Sequence, residues 1–283
     1  MVDDLEKYRQ WVGRSQTQTD IVGPFPPRAL IATLDARDPA PAKGDPLPPL
    51  WHWLYFLEAA PASRIGADGH PQRGDFLPPV SLPRRMWAGS RLHFDGDIRI
   101  GDEIRRESQI VSVEPKTGSS GEMVFVGVRH RIFAGDRLAI TEEQDIVYRQ
   151  AAKPGEKPAA AKPAPTDAAW TRAVKPDPVL LFRFSALMFI GHRIHYDAPY
   201  ATGVEGYPGL VVHGPLMGLM QMELARRSSP GRTVKAFEFR AISPVFETTP
   251  FTVAGRPDGK IAHTWVARDN DGGLAQQGKV TFG

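Results

Sequence analysis

The sequence predicts an α+β protein of two similar modules, each a curved antiparallel sheet around a central helix. Three observations lead to this prediction. Runs rich in β-branched and aromatic residues, separated by turn signals, lie in 91–149 and again in 250–282. One apolar helix candidate precedes each group of runs. A segment of alanine, lysine and proline at 151–166 separates the halves, so we place the modules at 1–150 and 167–283.

Short turns predict antiparallel neighbours within each module. In 122–133, larger apolar side chains alternate with smaller or polar ones, as in a half-buried strand. Turn signals such as Gly-Asp at 101–102 join such strands. The predicted strands are 91–100, 103–113, 122–133 and 137–149 in the first module and 250–256, 260–269 and 274–282 in the second. Similar apolar entries at 86–92 and 237–242 make the two modules a weak internal repeat.

Apolar spacing predicts one helix for each sheet to enclose. Residues 50–60 follow two prolines and repeat leucine and tryptophan at helical intervals. Residues 215–227 begin with Pro215, which suits the first helical position, and end with two arginines at the negative pole of the helix. Because 215–227 is mostly apolar, we expect the sheet to surround it.

Composition excludes several classes of function. The 283 residues contain no cysteine, which removes disulfides, cysteine-ligated zinc, iron–sulfur clusters and thiol nucleophiles. The formal net charge is only +3 and no basic block is present, so we expect no nucleic-acid partner. No apolar run approaches ~20 residues and the charged N-terminal segment lacks a secretory signal, so we expect no membrane partner and a cytoplasmic location.

Three of the eight histidines, His192, His195 and His213, lie in one glycine-bounded segment, 182–217. Hydrogen-bonded structural histidines are the alternative to a chemical role. Neutral imidazoles also bind zinc, but only Asp197 is nearby as a hard ligand, so we expect no metal. Gly214 precedes the helix that starts at Pro215, and its backbone N–H could stabilise an oxyanion at the positive end of the helix dipole. A plain turn before a core helix is the alternative interpretation.

The segment HRIHYDAPYA…GYPGLVVHGPL resembles the active-site region of the MaoC-like, 3-hydroxyacyl-thioester dehydratase type 2 family, which has the hotdog fold. Residues 48–57, 68–92 and 239–251 resemble the two-module branch that contains mesaconyl-C4-CoA and itaconyl-CoA hydratases. The resemblance implies a double hotdog with one active site per chain, between the modules. It also implies that the first module has lost its catalytic motif.

The resemblance implies roles for individual residues. His195 corresponds to the histidine that moves a proton between water and the substrate carbon, and the N–H of Gly214 to the oxyanion donor. Five positions earlier the family has Asp or Asn, but this chain has Ile190, which cannot hydrogen-bond water. His192 is hypothesised to compensate. Ile190 and His213 are placed with the residues that line the substrate.

Arginines are the candidates for binding phosphate or carboxylate groups of the substrate, because guanidinium binds both bidentately. Arg84 and Arg85 lie between prolines and an aromatic residue, Arg193 lies between two histidines, and Arg240 follows an apolar strand. Solvated surface arginines are the alternative for each. Arg193 is the first choice for the acyl end because of its neighbours.

These features predict a hydro-lyase that reversibly adds water to an α,β-unsaturated acyl-CoA thioester. A short branched or dicarboxylic acyl group, as in mesaconyl-C4-CoA or itaconyl-CoA, is expected. The alternatives are a 3-hydroxyacyl-thioester dehydratase of fatty-acid synthesis and, because of Ile190, a non-catalytic acyl-CoA binding protein. Imidazole acid–base chemistry and a helix N-terminus need no cofactor, so none is expected. A monomer and a homodimer are both compatible with two modules in one chain.

Overall fold

The computed structural model describes residues 2–118, 121–151 and 161–283. The strands are β1 (Ser15–Ile21), β2 (Arg84–Phe94), β3 (Glu103–Gly118), β4 (Gly121–Ala134), β5 (Arg137–Arg149), β6 (Trp170–Val174), β7 (Val234–Ala241), β8 (Phe251–Asp258), β9 (Ile261–Arg268) and β10 (Leu274–Phe282). The α-helices are α1 (Val2–Arg9), α2 (Phe25–Thr33), α3 (Pro178–Leu187), α4 (Ala198–Gly203) and α5 (Gly214–Arg227). Short 3-10 helices span Trp51–Leu54, Ala62–Arg64 and Arg193–His195.

All of these strands form one antiparallel sheet in the order β1-β3-β4-β5-β2-β7-β10-β9-β8-β6. The five strands on one side come from the first half of the chain, and the five on the other side come from the second half. β2 and β7 join the halves edge to edge, with Ser90 opposite Phe239. β2 and β7 would each be an edge strand in its own half, but they pair with each other. The two meanders therefore form one continuous curved sheet.

Helix α5 lies in the middle of the core, as the apolar spacing of 215–227 predicted. It is buried along nearly its whole length, and its two buried polar residues, Gln221 and Glu223, are hydrogen-bonded to Gln276 and Trp51. Phe237, Phe239 and Val280 from β7 and β10 face the core and belong to the same buried cluster as the helix. That cluster also contains Trp53 and Leu54 of the first half, so the main hydrophobic cluster includes residues of both halves.

The predicted helix over 50–60 is wrong. The segment forms only the 3-10 helix Trp51–Leu54, and Leu50 before it has a left-handed φ of 72°. The indole N–H of Trp51 donates to Glu223 of the second half, whereas that of Trp53 donates to Glu142 of the first half. The two indole N–H groups therefore bind partners in different halves of the chain, and all four residues of the 3-10 helix are buried. The apolar spacing of this segment reflects burial on all sides and not one face of a long helix.

The predicted strands match the sheet except near residue 95. The strand predicted at 91–100 begins earlier, at Arg84, and ends at Phe94, because Asp95 and Gly96 turn the chain. Of the predicted linker at 151–166, residues 152–160 lie outside the described residues. Near its end, the carbonyl of Lys162 accepts a hydrogen bond from Leu274 at 2.7 Å. The module boundaries stay a prediction. No helix in the described part of the chain is long and apolar enough to cross a bilayer.

Candidate active site

Two capped helices fix the segment that carries His192 and His195. Asp177 caps α3 by accepting a hydrogen bond from the N–H of Leu180 at 2.8 Å. Asp197 caps α4 in the same way, accepting from the N–H of Tyr200 at 3.1 Å. Residues 188–196 therefore form a short connection with both ends held in place, and its only regular turn is the 3-10 helix at Arg193–His195.

The hydrogen bond of His195 determines its tautomer. Its Nδ1 lies 2.7 Å from the carbonyl oxygen of Val211. Because a carbonyl only accepts, Nδ1 carries the proton and Nε2 of the neutral ring is an acceptor. Burial lowers the pKa of His195 to about 4, although the bond to Val211 opposes this shift. The ring is therefore neutral at pH 7.

The ring of His195 stacks on that of His213, with centroids 3.8 Å apart and an interplanar angle of 19°. His213 is the N-cap residue of α5, and its Nε2 lies 2.8 Å from the hydroxyl of Ser185. Gly214 follows as the first helical residue, where a backbone N–H has no carbonyl of its own helix to bind. The structure thus places the His195 ring against the N-cap residue of α5, at the positive end of that helix.

Two residues of the first half complete a histidine cluster, which we define as Asp68, His70, His192, His195 and His213. The His70 and His192 ring centroids lie 4.0 Å apart, and those of His192 and His195 lie 5.5 Å apart. One carboxylate oxygen of Asp68 lies 3.0 Å from His70 Nδ1, and the other accepts from the His70 backbone N–H at 3.0 Å. Burial would raise the pKa of Asp68, but these contacts with His70 lower it below its usual value.

Backbone contacts lock the loop of Asp68 and His70 onto the second half. Gly69 has a φ of 88°, and a Cβ there would lie 1.8 Å from the carbonyl oxygen of Gly191. A Cβ on Gly191 would in turn lie 2.5 Å from the carbonyl oxygen of Gly69. The N–H of Arg193 donates to the carbonyl of Asp68 at 2.9 Å. Two glycines therefore allow a backbone approach that any side chain would prevent.

Arg193 and Arg84 are already paired. The guanidinium of Arg193 binds Asp197 at 2.7 Å and donates to the carbonyl of Ala67 at 3.1 Å. Arg84 pairs with Glu205 at 2.9 Å. These contacts hold the chain around the cluster together. The prediction of Arg193 as first choice for the acyl end therefore lacks the free guanidinium that it needs.

Arg85 differs from its neighbour. It is half-buried, and after burial its positive charge is one of the smaller causes that lower the pKa values of His70 and His192. Among the described residues, no carboxylate lies within ion-pair distance of Arg85. Arg240 is exposed on β7, whereas Phe239 beside it is buried in the core. Arg240 therefore lies on the outer face of the sheet, away from α5, and does not join the cluster.

A cavity of about 550 Å³ adjoins the cluster and is bordered by both halves of the chain. Asp68, His70 and Arg84 line it from the first half, and Tyr200 and Glu205 from the second half. A larger hollow of about 1050 Å³ lies on the outer face, beside Arg240, and contains no member of the cluster. The smaller cavity is the one lined by two members of the cluster, Asp68 and His70, and it is therefore the candidate binding site.

Comparison with known proteins identifies the family of this chain. Residues 50–247 match the family model described as hydroxyacyl-thioester dehydratase type 2. The chain belongs to this family. It is 47% identical to mesaconyl-C(4)-CoA hydratase of Chloroflexus aurantiacus over 273 residues, covering 96% of this chain and 97% of the relative. It is 30% identical to the mitochondrial hydroxyacyl-thioester dehydratase type 2 of Schizosaccharomyces pombe, covering 88% and 91% of the two chains.

A solved structure confirms the fold class. A Mycobacterium tuberculosis protein described as a double hotdog superposes with a TM-score of 0.59 at 14% identity, over 98% of each chain. The predicted α+β double hotdog is therefore confirmed, and the strands of its two halves are joined through β2 and β7 in one sheet. This member of the dehydratase family has Ile190 three residues after the end of α3, where its N–H donates to the Ser185 carbonyl at 2.8 Å. Its side chain offers no hydrogen-bonding atom.

Asp68 and His70 are absent from the residues predicted from sequence. The only local signal is Asp-Gly-His at 68–70, a turn with two ionisable side chains. Among the described residues, one potential ligand atom each from Asp68, His70 and His192 lies within 4.8 Å of the other two. The short Asp68–His70 hydrogen bond already engages one atom of each of these two residues. The expectation of no metal stays a prediction, which chelation can test.

Proposed function

We propose that this member of the dehydratase family reversibly hydrates the double bond of a short, carboxylate-bearing enoyl-CoA of the mesaconyl-C4-CoA type. The observation that carries the proposal is the acceptor Nε2 of His195 beside the N-terminus of α5. The 47% identity to a mesaconyl-C(4)-CoA hydratase supports the same substrate class. A catalytic base and an oxyanion donor at one site are the two elements that this reaction requires.

In the proposed reaction, the oxygen of water bonds to the β carbon while one of its protons passes to His195 Nε2. The electrons of the double bond move onto the thioester oxygen, and the backbone N–H of Gly214 stabilises this enolate. The imidazolium of His195 then returns the proton to the α carbon. Each water contributes one hydroxyl and one hydrogen to the product, and no further reactant is consumed.

Arg85 is the proposed partner of the substrate carboxylate. Mesaconyl-C4-CoA carries a free carboxylate on the carbon that receives the hydroxyl group, so this charge must lie near the catalytic histidine. After burial, the charge of Arg85 helps to lower the pKa values of His70 and His192, and among the described residues Arg85 has no carboxylate partner. Arg84, by contrast, is neutralised by Glu205 at 2.9 Å.

Water addition to a panel of thioesters tests the proposal. Loss of ultraviolet absorbance by the conjugated thioester would be followed for mesaconyl-C4-CoA, itaconyl-CoA and crotonyl-CoA, and for crotonyl-acyl carrier protein. We expect the highest kcat/KM with mesaconyl-C4-CoA. Preference for acyl carrier protein would favour the second candidate, a 3-hydroxyacyl-thioester dehydratase like the S. pombe relative. Binding of these thioesters without any hydration would contradict the proposal that the protein is an enzyme. A cytoplasmic location, and a monomer or homodimer, stay predictions.

A further inference from the structure

We propose that the first half of the chain completes the catalytic centre: His70 binds the nucleophilic water, and Asp68 positions His70. This inference rests on the proposed hydration reaction and assigns a second catalytic side chain to it. It also changes the role of the first half, which the sequence resemblance implies to be free of catalytic groups.

Asp68 determines the tautomer of His70. Its carboxylate accepts from the Nδ1 side of the ring at 3.0 Å and from the His70 backbone N–H at 3.0 Å. A carboxylate that is ionised accepts only, so the ring proton lies on Nδ1 and Nε2 is left as an acceptor. The low pKa of Asp68 keeps the carboxylate ionised at neutral pH. His70 is therefore fixed in position and in protonation state.

A nucleophilic water needs two acceptors in this reaction. One hydrogen leaves to His195, and the other must be held so that an oxygen lone pair points at the β carbon. Ile190 has no atom that can accept it. His213 is only 1% exposed and its Nε2 already contacts Ser185, so it is closed to water.

His192 and His70 remain as candidates for the second acceptor. The ring of His192 lies between those of His70 and His195, and among the described residues no hydrogen bond fixes its tautomer. His70 has that hydrogen bond, from Asp68, and both residues of this pair line the 550 Å³ cavity. The contacts favour His70.

The interlocked backbones show how the two halves hold this arrangement. The Asp68 carbonyl accepts from the Arg193 N–H at 2.9 Å, and the Arg193 guanidinium donates to Ala67 at 3.1 Å. The approach of Gly69 to Gly191 leaves no room for a side chain. During the reaction His70 keeps its protonation state, because the hydrogen that it accepts stays on oxygen and ends in the product hydroxyl.

Substitutions of the pair test the inference. We expect His70→Ala to lower kcat by between about tenfold and a hundredfold while KM changes less than about threefold. Added imidazole should restore part of the lost turnover through the adjoining cavity, which a purely structural role of His70 would not allow. Asp68→Asn should lower kcat by roughly tenfold and shift the pH profile. His93→Ala and Asp75→Asn, both at exposed positions, are the matched controls.

Two glycines provide a second test that leaves the ionisable groups intact. Gly69 and Gly44 share a φ of 88°, but a Cβ on Gly44 would meet no atom within 4 Å. Gly69→Ala and Gly44→Ala therefore carry the same backbone strain, and only the first separates the loop from Gly191. We expect kcat to fall about tenfold or more for Gly69→Ala, with Gly44→Ala close to wild type.

The outcomes separate the inference from the proposed function. If the wild-type protein hydrates no thioester of the panel, the proposed function fails. If it does, and if His70→Ala and His70→Gln both retain kcat within about threefold, the inference alone is overturned. The glutamine variant covers the case in which the alanine variant does not fold. Activity that is abolished by EDTA and restored by Zn²⁺ would also overturn the inference, because Asp68, His70 and His192 would then bind a metal.

Discussion

Two regions of this molecule combine histidines with one carboxylate, but they differ in how fully that carboxylate is buried and hydrogen-bonded. The first is the histidine cluster around His195. The second, the Glu142 network, consists of His52, Trp53, Ser90, Glu142, Gln144, Ser108 and His130. Each region contains a serine–histidine contact of nearly equal length: 2.8 Å for Ser185 and His213, and 2.7 Å for Ser108 and His130.

The number of hydrogen-bond partners of the carboxylate distinguishes the two regions. Glu142 is 1% exposed and contacts the side chains of His52, Trp53, Ser90 and Gln144 at 2.9 to 3.2 Å. Burial alone would raise its pKa, but the contact with His52, with help from His130 and Trp53, lowers it to about 2. Asp68 has a side chain that is 26% exposed and borders a cavity. A buried carboxylate whose oxygens are occupied by neighbouring side chains stabilises the fold, whereas a spare acceptor beside a cavity can react.

The largest expected difference is in turnover. His195→Ala should lower kcat by about a hundredfold or more, because it removes the group that accepts and returns the proton. His130→Ala should leave kcat within about threefold, since His130 lies in the Glu142 network. Steady-state hydration of mesaconyl-C4-CoA by both variants, with circular dichroism to verify folding, measures this. An equal loss of kcat in the two variants would contradict the assignment of a catalytic role to His195 and a structural role to His130.

Substrate selectivity should separate an unpartnered arginine from a paired one. Arg85→Gln should raise the KM for mesaconyl-C4-CoA about tenfold or more and leave that for crotonyl-CoA within about threefold, because only the first substrate has a free carboxylate. Arg91→Gln is the control, since Arg91 pairs with Asp145 at 2.7 Å on the outer face. A parallel rise with both substrates would refute carboxylate recognition by Arg85.

Local patterns in the sequence were sufficient for α5 and for most of the strands, but not for the two edge strands β1 and β6. The pairing of His195 with Gly214 came from the family resemblance. Strand alternation, turn residues and a proline at a helix start are short-range signals. Asp68 and His70 could not be found this way, because they reach His192 across more than a hundred residues of chain. Arg84 and Arg85 look alike in sequence, and only the distant Glu205 distinguishes them. The helix predicted at 50–60 failed because burial on all sides produces the same apolar spacing as one helical face.

Removing the charge of Glu142 should reduce stability rather than activity. Glu142→Gln places an amide donor against the donors of Trp53 and Ser90, so one buried group is left unpaired. We expect a loss of roughly 3 kcal/mol in the free energy of unfolding. Urea denaturation followed by tryptophan fluorescence measures it, with Glu143→Gln, on the exposed side of β5, as control. The folded fraction should keep its kcat, and a selective loss of turnover would contradict a structural role.

The smallest predicted effect is a dependence of stability on pH that originates in the Glu142 network. Burial lowers the pKa of His130 to about 4, against 6.5 for an ordinary histidine, with Glu142 opposing the shift and Arg106 and His52 adding to it. The unfolded chain therefore binds this proton first, and the contribution of His130 to stability is present above pH 6.5 and lost as the pH falls toward 4.

Between pH 7 and pH 5 this loss amounts to about 2 kcal/mol. Glu142 adds no change in that window, because its pKa of about 2 lies below the ordinary value of 4.5 and its contribution is lost only under more acidic conditions. His130→Gln, which cannot titrate, should reduce the difference between urea unfolding curves at pH 7 and pH 5 by that amount. An unchanged difference would show that the proton is taken up elsewhere, and the histidine cluster would then be the region to examine by the same substitution at His213.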